Sequence, residues 1–304
     1  MIKVQPTAAP AFPKVAVIIL NCNQPEYTLQ CALSVSKSDY PNLETVVVDN
    51  GSLPDQYGRL RQGLPQLVIL RSETNLGFAR GNNLGLHYAL EHGADYALVI
   101  NNDTLVDPRM ISQLVQAGEA DPNLGLLGPV IYYLQEPEKV WFAGYRFNHG
   151  IYLLRRGLHL KPPLEPVEYV DFVCGCALMI RRPILETIGL LPEEYFIYYE
   201  DLDFCFRVKK AGWKIGCVTE AKMWHAISAY FGGPDSPMKQ YHQVKGSLIF
   251  YRKYSRGLKL WINLGLRFGH AFYTLVKASV KGQLKGETLR QFAKGVYEGW
   301  KYPR

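Results

Sequence analysis

Four short apolar runs, each separated from the next by a helix-length segment, constrain the fold more than any other feature of the sequence. The first run, VAVIIL at residues 15–20, is rich in β-branched residues and has no polar alternation, which is typical of a strand buried on both faces. Similar runs follow at 43–48, 67–70 and 97–100. Strands that alternate with helices in this way predict an α/β fold with a doubly wound, mostly parallel sheet and helices on both faces.

Polar residues follow each predicted strand at once. In an open α/β sheet the carboxyl ends of the strands are where ligands bind, so these residues are expected to line one crevice. The stretch YALVINNDTLVDP, Tyr96–Pro108, is the clearest case, because a lone carboxylate between amides suits a divalent cation and a phosphate. A polar turn is the alternative interpretation of the same residues. The polar strand ends are Asn21 and Asn23, Asp49 to Ser52, the glycine-rich stretch Asn75 to Asn83 and Asn101 to Asp103.

Several common α/β enzymes are excluded by missing motifs. The first strand-to-helix turn, NCNQPEY, contains no glycine, which argues against a nicotinamide dehydrogenase. Neither a Walker loop nor a GxSxG nucleophile elbow occurs. The 6 cysteines lack zinc-site spacing and are expected to be free thiols in a reducing cytosol.

Charge separates the chain into an acidic main part and a basic tail. From Lys245 onward there are 13 Lys and Arg against two Glu, a net of +11, so the whole-chain charge of +7 leaves −4 for the first 244 residues. This distribution argues against nucleic acid as a partner and for an anionic surface met by the tail. Residues 1–13 lack a long apolar stretch and are expected to be a flexible lead-in rather than a secretory signal.

The tail contains one clear helical pattern. Polar residues recur at steps of three and four from Lys259 to Lys281, and Trp261, Leu264, Phe268, Phe272 and Leu275 lie largely away from them. Charge interrupts the segment too often for a membrane span. The pattern predicts a helix in a membrane interface, and the alternative is a helix packed on the catalytic domain or on a dimer partner.

Ordered motifs give the sequence a family resemblance. They are VAVIILNCNQ (15–24), VVVDNGS (46–52), NLGFARGNNLG (75–85), VINNDTLVDP (99–108), CGCALMIRR (174–182), FIYYEDLDFCFRVKKAGW (196–213) and WHAISAYFG (224–232). In this order they resemble the family 2 glycosyltransferases, which are inverting enzymes of the GT-A fold, and within them the rhamnosyltransferase-like branch. The resemblance covers about residues 15–232.

The resemblance implies a domain plan and a role for each motif. It implies a lead-in at 1–13, a GT-A domain at 14–240 with a nucleotide-sugar half (14–107) and an acceptor half (108–240), and a basic helical tail at 241–304. Asp201 is the implied catalytic base, and Mg²⁺ or Mn²⁺ is the implied cofactor, held by Asp103 with His225. Asn101 stands where the family often has the first Asp of its metal motif. The residues implied in nucleotide-sugar binding are Asn21, Asn23, Asp49, Asn50, Gly51, Ser52, Asn75, Gly77, Phe78, Arg80, Gly81, Asn83, Asn101 and Asn102.

Two further groups are expected to support these roles. Free backbone NH groups and the helix dipole at the 75–83 loop are expected to favour a diphosphate. On the helix that begins near Glu200, Asp203 and Arg207 are four apart and are predicted to pair, which leaves Asp201 available. On the acceptor side, Gly175, Cys176 and Ala177 are implied, with small residues that allow close approach.

The function implied by the resemblance is transfer of a sugar, with inversion, from a nucleoside diphosphate donor to a hydroxyl of a glycan or lipid-linked glycan. Rhamnose from dTDP-rhamnose is the first choice, and a UDP-hexose or UDP-N-acetylhexosamine is the alternative. A nucleotidyltransferase and a non-catalytic sugar-nucleotide-binding scaffold are the hypotheses from other classes. The enzyme is expected in the cytoplasm, peripheral at the inner face of the cell membrane, and homo-oligomerisation is left open.

Overall fold

The computed structural model describes residues 12–147, 154–155, 165–226, 236–280 and 286–303. Nearly all of the predicted lead-in lies outside the described residues. Where the described chain begins, its backbone is tied to the domain, because the Tyr40 hydroxyl donates to the carbonyl oxygen of Pro13 at 2.6 Å.

The N-terminal half forms a parallel sheet from the four predicted runs. β1 pairs with β2 on one side and β4 on the other, and β2 pairs with β3, all in parallel. The register places Asn21 opposite Asp49 and Leu20 opposite Asn101, so the polar strand ends lie at one level of the sheet. These strands are β1 (Val15–Asn21), β2 (Leu43–Asn50), β3 (Val68–Ser72) and β4 (Tyr96–Asn101).

Helices connect these strands, and one of them begins earlier than predicted. The third helix was expected to follow Asn83, but it starts at Gly77. Gly77 has φ +84°, and the side chain of Asn75 accepts a hydrogen bond from its NH at 2.9 Å, so the turn into the helix is completed there. The helices of this half are α1 (Pro25–Val35), α2 (Pro54–Gly63), α3 (Gly77–Glu91) and α4 (Met110–Ala120).

The C-terminal half continues the same sheet with mixed strand directions. β11 inserts between β4 and β6 and is antiparallel to both, whereas β12 is parallel to β6. The main path of the sheet runs β10-β12-β6-β11-β4-β1-β2-β3, which confirms the predicted α/β class and places antiparallel strands in the second half. The added strands are β5 (Thr104–Val106), β6 (Leu124–Tyr133), β7 (Val140–Phe142), β8 (Arg146–Phe147), β9 (Leu154–Arg155), β10 (Val167–Val170), β11 (Ala177–Arg181) and β12 (Lys214–His225).

The remaining helices include the tail. The domain boundary predicted between residues 240 and 241 falls inside α7, and Val244, Leu248 and Phe250 of this helix belong to the main hydrophobic core. Among the described helices, none combines the length and the hydropathy needed to cross a bilayer. These helices are α5 (Arg182–Thr187), α6 (Glu200–Lys210), α7 (Pro237–Tyr254), α8 (Gly257–Val280) and α9 (Gly286–Lys301).

Candidate active site

A cavity of about 260 Å³ opens at the polar strand ends. Both halves of the sheet line it, together with the segment that leads into α6. Twelve of the residues predicted from sequence reach its wall. They are Asn50, Asn75, Gly77, Phe78, Asn101, Asn102, Asp103, Gly175, Cys176, Glu200, Asp201 and His225.

Asp103 and His225 form a close pair in this wall. β5 and β12 are antiparallel with Thr104 opposite His225, and this register brings the His225 imidazole Nε2 to 3.0 Å from Oδ1 of Asp103. Both side chains are almost completely buried, and the His225 Nδ1 has no hydrogen-bond partner within the described part of the chain. The structure therefore brings together the two residues that were predicted as metal ligands.

The two side chains of this pair carry atoms that can bind a divalent cation. A carboxylate oxygen suits Mg²⁺ or Mn²⁺ and an imidazole nitrogen is a common metal ligand, and their 3.0 Å separation is also that of a hydrogen bond or ion pair. The described residues contain no group of three or more His, Cys, Asp and Glu side chains that could hold a metal by itself. Asp103 and His225 could therefore hold a cation only together with ligands from outside the protein, such as phosphate oxygens or water.

The two amides before Asp103 differ in their surroundings. Asn101 ends β4 and is half-buried at the cavity wall. Asn102 is buried, and its amide donates to the Thr28 hydroxyl at 3.1 Å, which ties the strand end to α1. Asn102 therefore has a structural bond, and Asn101 presents a neutral side chain where a carboxylate would add charge.

Asp49 lies at a second corner beside the main cavity. Its Oδ1 accepts from the Asn21 amide at 2.9 Å, and its buried Oδ2 has no hydrogen-bond partner among the described residues. The nearest cation is Arg71, 3.8 Å away at Nε, which lies over the Tyr57 ring. Ser52 accepts from the Asn21 amide at 3.1 Å. Oδ2 of Asp49 thus lacks a hydrogen bond but faces the Arg71 guanidinium, and Asp49 is fully buried and does not reach the wall of the main cavity.

Asn23 supports the same corner from its own loop. It adopts a left-handed conformation with φ 54°. Its NH donates to the Ser52 hydroxyl at 2.8 Å, and its side-chain oxygen accepts from the NH of Leu53 at the same distance. Asn23 therefore joins the ends of β1 and β2 rather than lining the main cavity.

The beginning of α3 corrects the expectation of free backbone NH groups. The NH of Leu76 donates to Asn50 at 2.9 Å, that of Gly77 to Asn75 at 2.9 Å, and that of Phe78 to the carbonyl oxygen of Phe196 at 2.6 Å. These three donors are occupied by the protein itself. Any diphosphate recognition here must therefore use other groups.

Three predicted donor residues of α3 lie away from the cavity, because the helix starts before them. Arg80 forms an ion pair with Glu193 at 3.1 Å. Asn83 exchanges hydrogen bonds with Leu191, donating to its carbonyl at 3.0 Å and accepting from its NH at 3.1 Å. At Gly81 a Cβ would lie 2.7 Å from the Leu20 side chain, so glycine permits close helix-to-sheet packing. Gly51, with φ +76°, serves a tight turn against Thr74.

Gly175 and Asp201 meet at the opposite wall of the main cavity. The Gly175 NH donates to Oδ2 of Asp201 at 3.0 Å, and the NH of Leu202 donates to Oδ1 at 2.8 Å. A Cβ on Gly175 would lie 3.2 Å from Cβ of Asp201, so glycine here allows α6 to pack closely on the 174–176 segment. Cys176 lines the cavity next to it, whereas Ala177 is buried in β11.

Burial raises the pKa of both adjacent carboxyl groups at the start of α6. Burial, and then the charge of Asp201, raise the pKa of Glu200 well above its ordinary value. Burial also raises the pKa of Asp201, against the lowering effect of the two backbone NH donors. The Asp201 carboxylate is therefore a stronger base than an exposed Asp and is held in a fixed orientation.

The predicted pair between Asp203 and Arg207 is wrong. Asp203 is fully buried and accepts from Tyr195, Lys253 and Tyr254, whereas the Arg207 guanidinium donates to the carbonyl oxygens of Ile188 and Leu190. The spacing of four was correct for a helix, but both side chains bind partners from other segments instead.

Sequence reasoning missed several residues of the wall. Trp141 lies in β7 with its ring 5.1 Å from that of His225, and Lys239 of α7 reaches the same cavity. Cys22 and Cys174 also line it as half-buried thiols. None of the 6 cysteines forms a disulfide, as predicted. Trp141 and Lys239 gave no usable signal because they lie in segments without a motif or a regular period.

The sheet and its strand-end cavity define a GT-A type glycosyltransferase. The model of the family described as "Glycosyl transferase family 2" matches residues 16–189, more than half of the chain. The chain therefore belongs to glycosyl transferase family 2.

Two relatives are named for rhamnose transfer. The dTDP-rhamnosyl transferase RfbF of Shigella flexneri is 25% identical over 251 residues, covering 80% of this chain and 82% of that protein. The N-acetylglucosaminyl-diphospho-decaprenol L-rhamnosyltransferase of Mycobacterium tuberculosis is 27% identical over 243 residues, covering 71% and 77%. A longer uncharacterized protein of Sinorhizobium fredii is 28% identical over 217 residues, and the chain spans 23% of its length.

A solved structure shares the fold. GalNAc-T7, determined with UDP, GalNAc and Mn²⁺, superposes with a TM-score of 0.60 at 17% identity, over 79% of this chain and 48% of that one. At this identity the similarity concerns the fold alone. It agrees with the GT-A architecture expected from the sequence.

Proposed function

We propose that the protein transfers rhamnose from dTDP-rhamnose, with inversion, to a hydroxyl of a glycan or lipid-linked glycan. The proposal rests on one observation: a single cavity is lined by the Asp103–His225 pair and by the Asp201 carboxylate. The names of the Shigella flexneri and Mycobacterium tuberculosis relatives support rhamnose as the sugar. A UDP-hexose or UDP-N-acetylhexosamine donor is the second candidate, and the UDP bound to GalNAc-T7 favours it.

The Asp103–His225 pair would hold Mg²⁺ or Mn²⁺, and the bound cation would neutralise charge on the leaving diphosphate. Asp103 supplies the carboxylate of this pair, and Asn101, two residues before it, is neutral. Oδ2 of Asp49, which has no hydrogen-bond partner among the described residues, would accept a hydrogen bond from the base or ribose of the nucleotide. Mn²⁺ in the GalNAc-T7 structure supports a divalent cation in this fold.

Asp201 is proposed as the general base. The acceptor hydroxyl attacks the anomeric carbon on the face opposite the leaving nucleoside diphosphate, and its proton moves to the Asp201 carboxylate. Because attack and departure occur on opposite faces, the configuration inverts. The NH donors of Gly175 and Leu202 keep the carboxylate oriented, and its raised pKa makes proton transfer more favourable than to an exposed Asp.

The Asp201→Asn variant tests the base. General-base catalysis contributes roughly 10²- to 10⁴-fold, so nucleoside diphosphate release with acceptor should fall at least about 100-fold while donor binding is retained. The matched control is Asp107→Asn, at a half-buried side chain that is paired with Arg109 and does not line the cavity. Near-normal turnover of Asp201→Asn would remove Asp201 as the base.

A donor and metal panel tests the reaction class. The wild-type protein is assayed with dTDP-rhamnose, UDP-hexoses and UDP-N-acetylhexosamines, with Mn²⁺, Mg²⁺ or EDTA. Pyrophosphate release would instead indicate a nucleotidyltransferase, and donor binding without turnover would indicate a scaffold protein. Asp103→Ala should abolish the metal-dependent part of donor affinity, measured by calorimetry, and unchanged affinity in Mn²⁺ would contradict the metal assignment.

We propose further that α8 places the enzyme on an anionic membrane surface, where a lipid-linked acceptor would be met. The structure corrects which face of the helix is available. Asn263 of the predicted polar stripe is fully buried and donates to Ser255 at 3.0 Å, and Leu264 is buried as well. The outward face is apolar, with Trp261 62% and Phe272 69% exposed.

This outward face extends along the whole helix. Its exposed apolar residues recur at steps of three and four, broken only by small glycines, so they form one continuous stripe. The 24 residues of α8 contain no Asp or Glu but include Lys259, Arg267 and Lys277, which gives the helix the charge that complements an anionic lipid surface. The exposed apolar residues are Leu258, Trp261, Ile262, Leu266, Phe272, Tyr273, Val276 and Val280.

Vesicle flotation tests the membrane proposal. Truncation near residue 244 would remove core residues of α7, so the full chain is compared with the Trp261→Ser/Phe272→Ser variant. The wild type should float with vesicles of phosphatidylglycerol and phosphatidylcholine and the variant much less, with equal transferase activity on a soluble acceptor. Equal flotation of both would refute the proposal, as would a wild-type dimer that the substitutions dissociate, because the stripe would then be a contact between copies.

A further inference from the structure

The base-bearing helix α6 is anchored by α7, and both helices lie beyond residues 16–189, which the family model matches. We propose that Lys253 and Tyr254 of α7 are positioning residues, which set the orientation of Asp201 by holding Asp203 two residues away. The inference rests on the proposed role of Asp201 as the base. It makes Lys253 and Tyr254, which belong to the predicted basic tail, part of the structure that supports the active site.

Asp203 is the point of attachment. Its side chain is fully buried, and it accepts three hydrogen bonds: 2.8 Å from the Tyr195 hydroxyl, 2.9 Å from Lys253 Nζ and 2.9 Å from the Tyr254 hydroxyl. Two of these donors come from α7, about 50 residues further along the chain. Lys253 also donates to Glu194 at 2.6 Å, so it links α7 to the segment before α6 and to α6 itself.

The first turn of α6 depends on outside support. The N-cap residue, Tyr199, makes no side-chain capping hydrogen bond, and both Tyr198 and Tyr199 adopt left-handed conformations, with φ 66° and 78°. Such backbone conformations are unfavourable for residues other than glycine and persist only where the surroundings fix them. Surrounding contacts must therefore hold the chain where it enters the helix.

α7 supplies contacts at this turn as well. Gly246 of α7 packs so closely that a Cβ there would lie 3.0 Å from the Tyr198 carbonyl oxygen and 3.0 Å from Cδ2 of Tyr199. The Tyr199 ring also lies 5.9 Å from that of Phe250. Tyr198 and Tyr199 are thus held against α7. The contacts of Lys253 and Tyr254 with Asp203 fix the first turn of α6 that follows them.

Asp201 is sensitive to this anchoring because its orientation depends on the rotation of the turn. The first turn of α6 contains both Asp201 and Asp203. The 3.0 Å hydrogen bond from the Gly175 NH to Asp201 requires a fixed separation between α6 and the 174–176 segment. If Asp203 loses its α7 partners, the turn can rotate and this bond lengthens. The Asp201 carboxylate would then lose both its alignment and a group that lowers its pKa.

The Lys253→Met variant is the main test, with Lys253→Arg and Tyr254→Phe beside it. Small displacements of catalytic groups are costly, and a shift approaching 1 Å can cost about 100-fold, so Lys253→Met is expected to lower kcat roughly 10- to 100-fold. Donor KM should change less than about 3-fold, because the donor corner is not touched. Lys253→Arg should recover much of kcat, since it restores a cation at Asp203.

Two further readouts separate positioning from a general loss of structure. Asp201 must be ionised to act, so losing the Gly175 bond raises its pKa and moves the acidic limb of the kcat profile to higher pH. Lys245→Met is the matched control on the same helix, because Lys245 pairs with Glu298 of α9 at 2.9 Å and does not contact Asp203. This control should keep the wild-type kcat and pH profile.

The outcomes distinguish this inference from the proposed function. A folded Lys253→Met protein with wild-type kcat and an unmoved acidic limb would overturn the positioning role, even if Asp201→Asn is inactive. If Asp201→Asn is active, the proposed base itself is wrong. Should Lys253→Met fail to fold, Tyr254→Phe decides, because it removes a single hydroxyl: lowered kcat with a moved acidic limb supports the inference, and unchanged values overturn it.

Discussion

Substituting Gly175 by Ala should separate catalysis from stability, because the added methyl group would press on the proposed base. In the structure a Cβ at this position would lie 3.2 Å from Cβ of Asp201, 3.3 Å from Cε1 of Phe78 and 3.4 Å from Oδ2 of Asp201. Unstrained carbon contacts are about 3.5–4.0 Å, so the neighbours must move by a few tenths of an ångström.

The expected stability change of Gly175→Ala is small because two effects oppose each other. The backbone of Gly175 is outside the left-handed region, so Ala reduces the entropy of the unfolded chain and stabilises by about 0.4–1 kcal/mol. Overpacking in a tight site costs about 1–3 kcal/mol. The net loss should be roughly 0–2.6 kcal/mol.

The expected change in kcat of Gly175→Ala is larger. Asp201 has to shift away from the new methyl group, and its bond from the Gly175 NH is distorted. A shift of a few tenths of an ångström should lower kcat by about 10-fold, since about 1 Å can cost 100-fold. Donor affinity, measured by calorimetry, should remain within about 3-fold unless Phe78 moves instead.

Gly58→Ala is the control for this experiment. Gly58 lies in α2 with no atom within 4 Å of its added Cβ, so Ala should stabilise by about 0.5–1 kcal/mol and leave kcat unchanged. Thermal unfolding and nucleoside diphosphate release are measured for both variants. If Gly175→Ala keeps full kcat and wild-type stability, the wall is more adaptable than the distances imply and the reasoning fails.

Two further variants probe the same walls. Glu200→Gln should be more stable than wild type at pH 8, because the raised pKa of Glu200 means that its ionisation destabilises the folded protein as the pH rises. The stability gain of the variant should shrink towards pH 4. Thermal unfolding of both proteins as a function of pH measures this, and the absence of such a trend would contradict the burial of this carboxyl. Gly77→Ala should destabilise by more than about 2 kcal/mol, since φ is +84° and a Cβ would lie 2.8 Å from Cδ2 of Phe196 and closer to its carbonyl oxygen. Gly93→Ala is the control, because Gly93 also has a left-handed backbone, φ +72°, but its added Cβ would meet nothing within 4 Å. Denaturant unfolding should therefore show a loss of only about 1 kcal/mol for Gly93→Ala. Equal losses of stability for Gly77→Ala and Gly93→Ala would show that the clash with Phe196 is not the cause.

The parallel core and the polar strand ends were predictable from sequence because both depend on local pattern. A β-branched run such as 15–20 specifies a buried strand, and parallel pairing brings the residues after each strand to one edge. Asp49 and Asp103 follow strands in this way and could be named from the pattern, whereas Asp201 lies in α6 and was named from the family resemblance. The position of Asp49 and Asp103 at one edge of the sheet could be predicted without knowing any contact between distant segments.

Contacts between distant segments were not predictable in the same way. The local spacing suggested Arg207 as the partner of Asp203, whereas its partners Lys253 and Tyr254 come from α7. The pattern of α8 likewise specified a helix with apolar residues but not which of them the rest of the protein covers. Leu264 is buried and Trp261 is exposed, and only the position of α8 in the fold decides between them.

The buried carboxylates of the site differ in their partners, and the difference follows their proposed roles. Asp203 has a lysine and two tyrosine hydroxyls, and Asp103 has His225 within 3.0 Å. Asp201 is supported by backbone NH groups, and within the described residues Oε2 of Glu200 has no hydrogen-bond partner at all. A cationic partner on Asp201 would stabilise the carboxylate and weaken it as a base, because it would lower the pKa. NH donors orient the Asp201 carboxylate with a smaller loss of basicity. The cationic partner, Lys253, binds Asp203 two residues away instead.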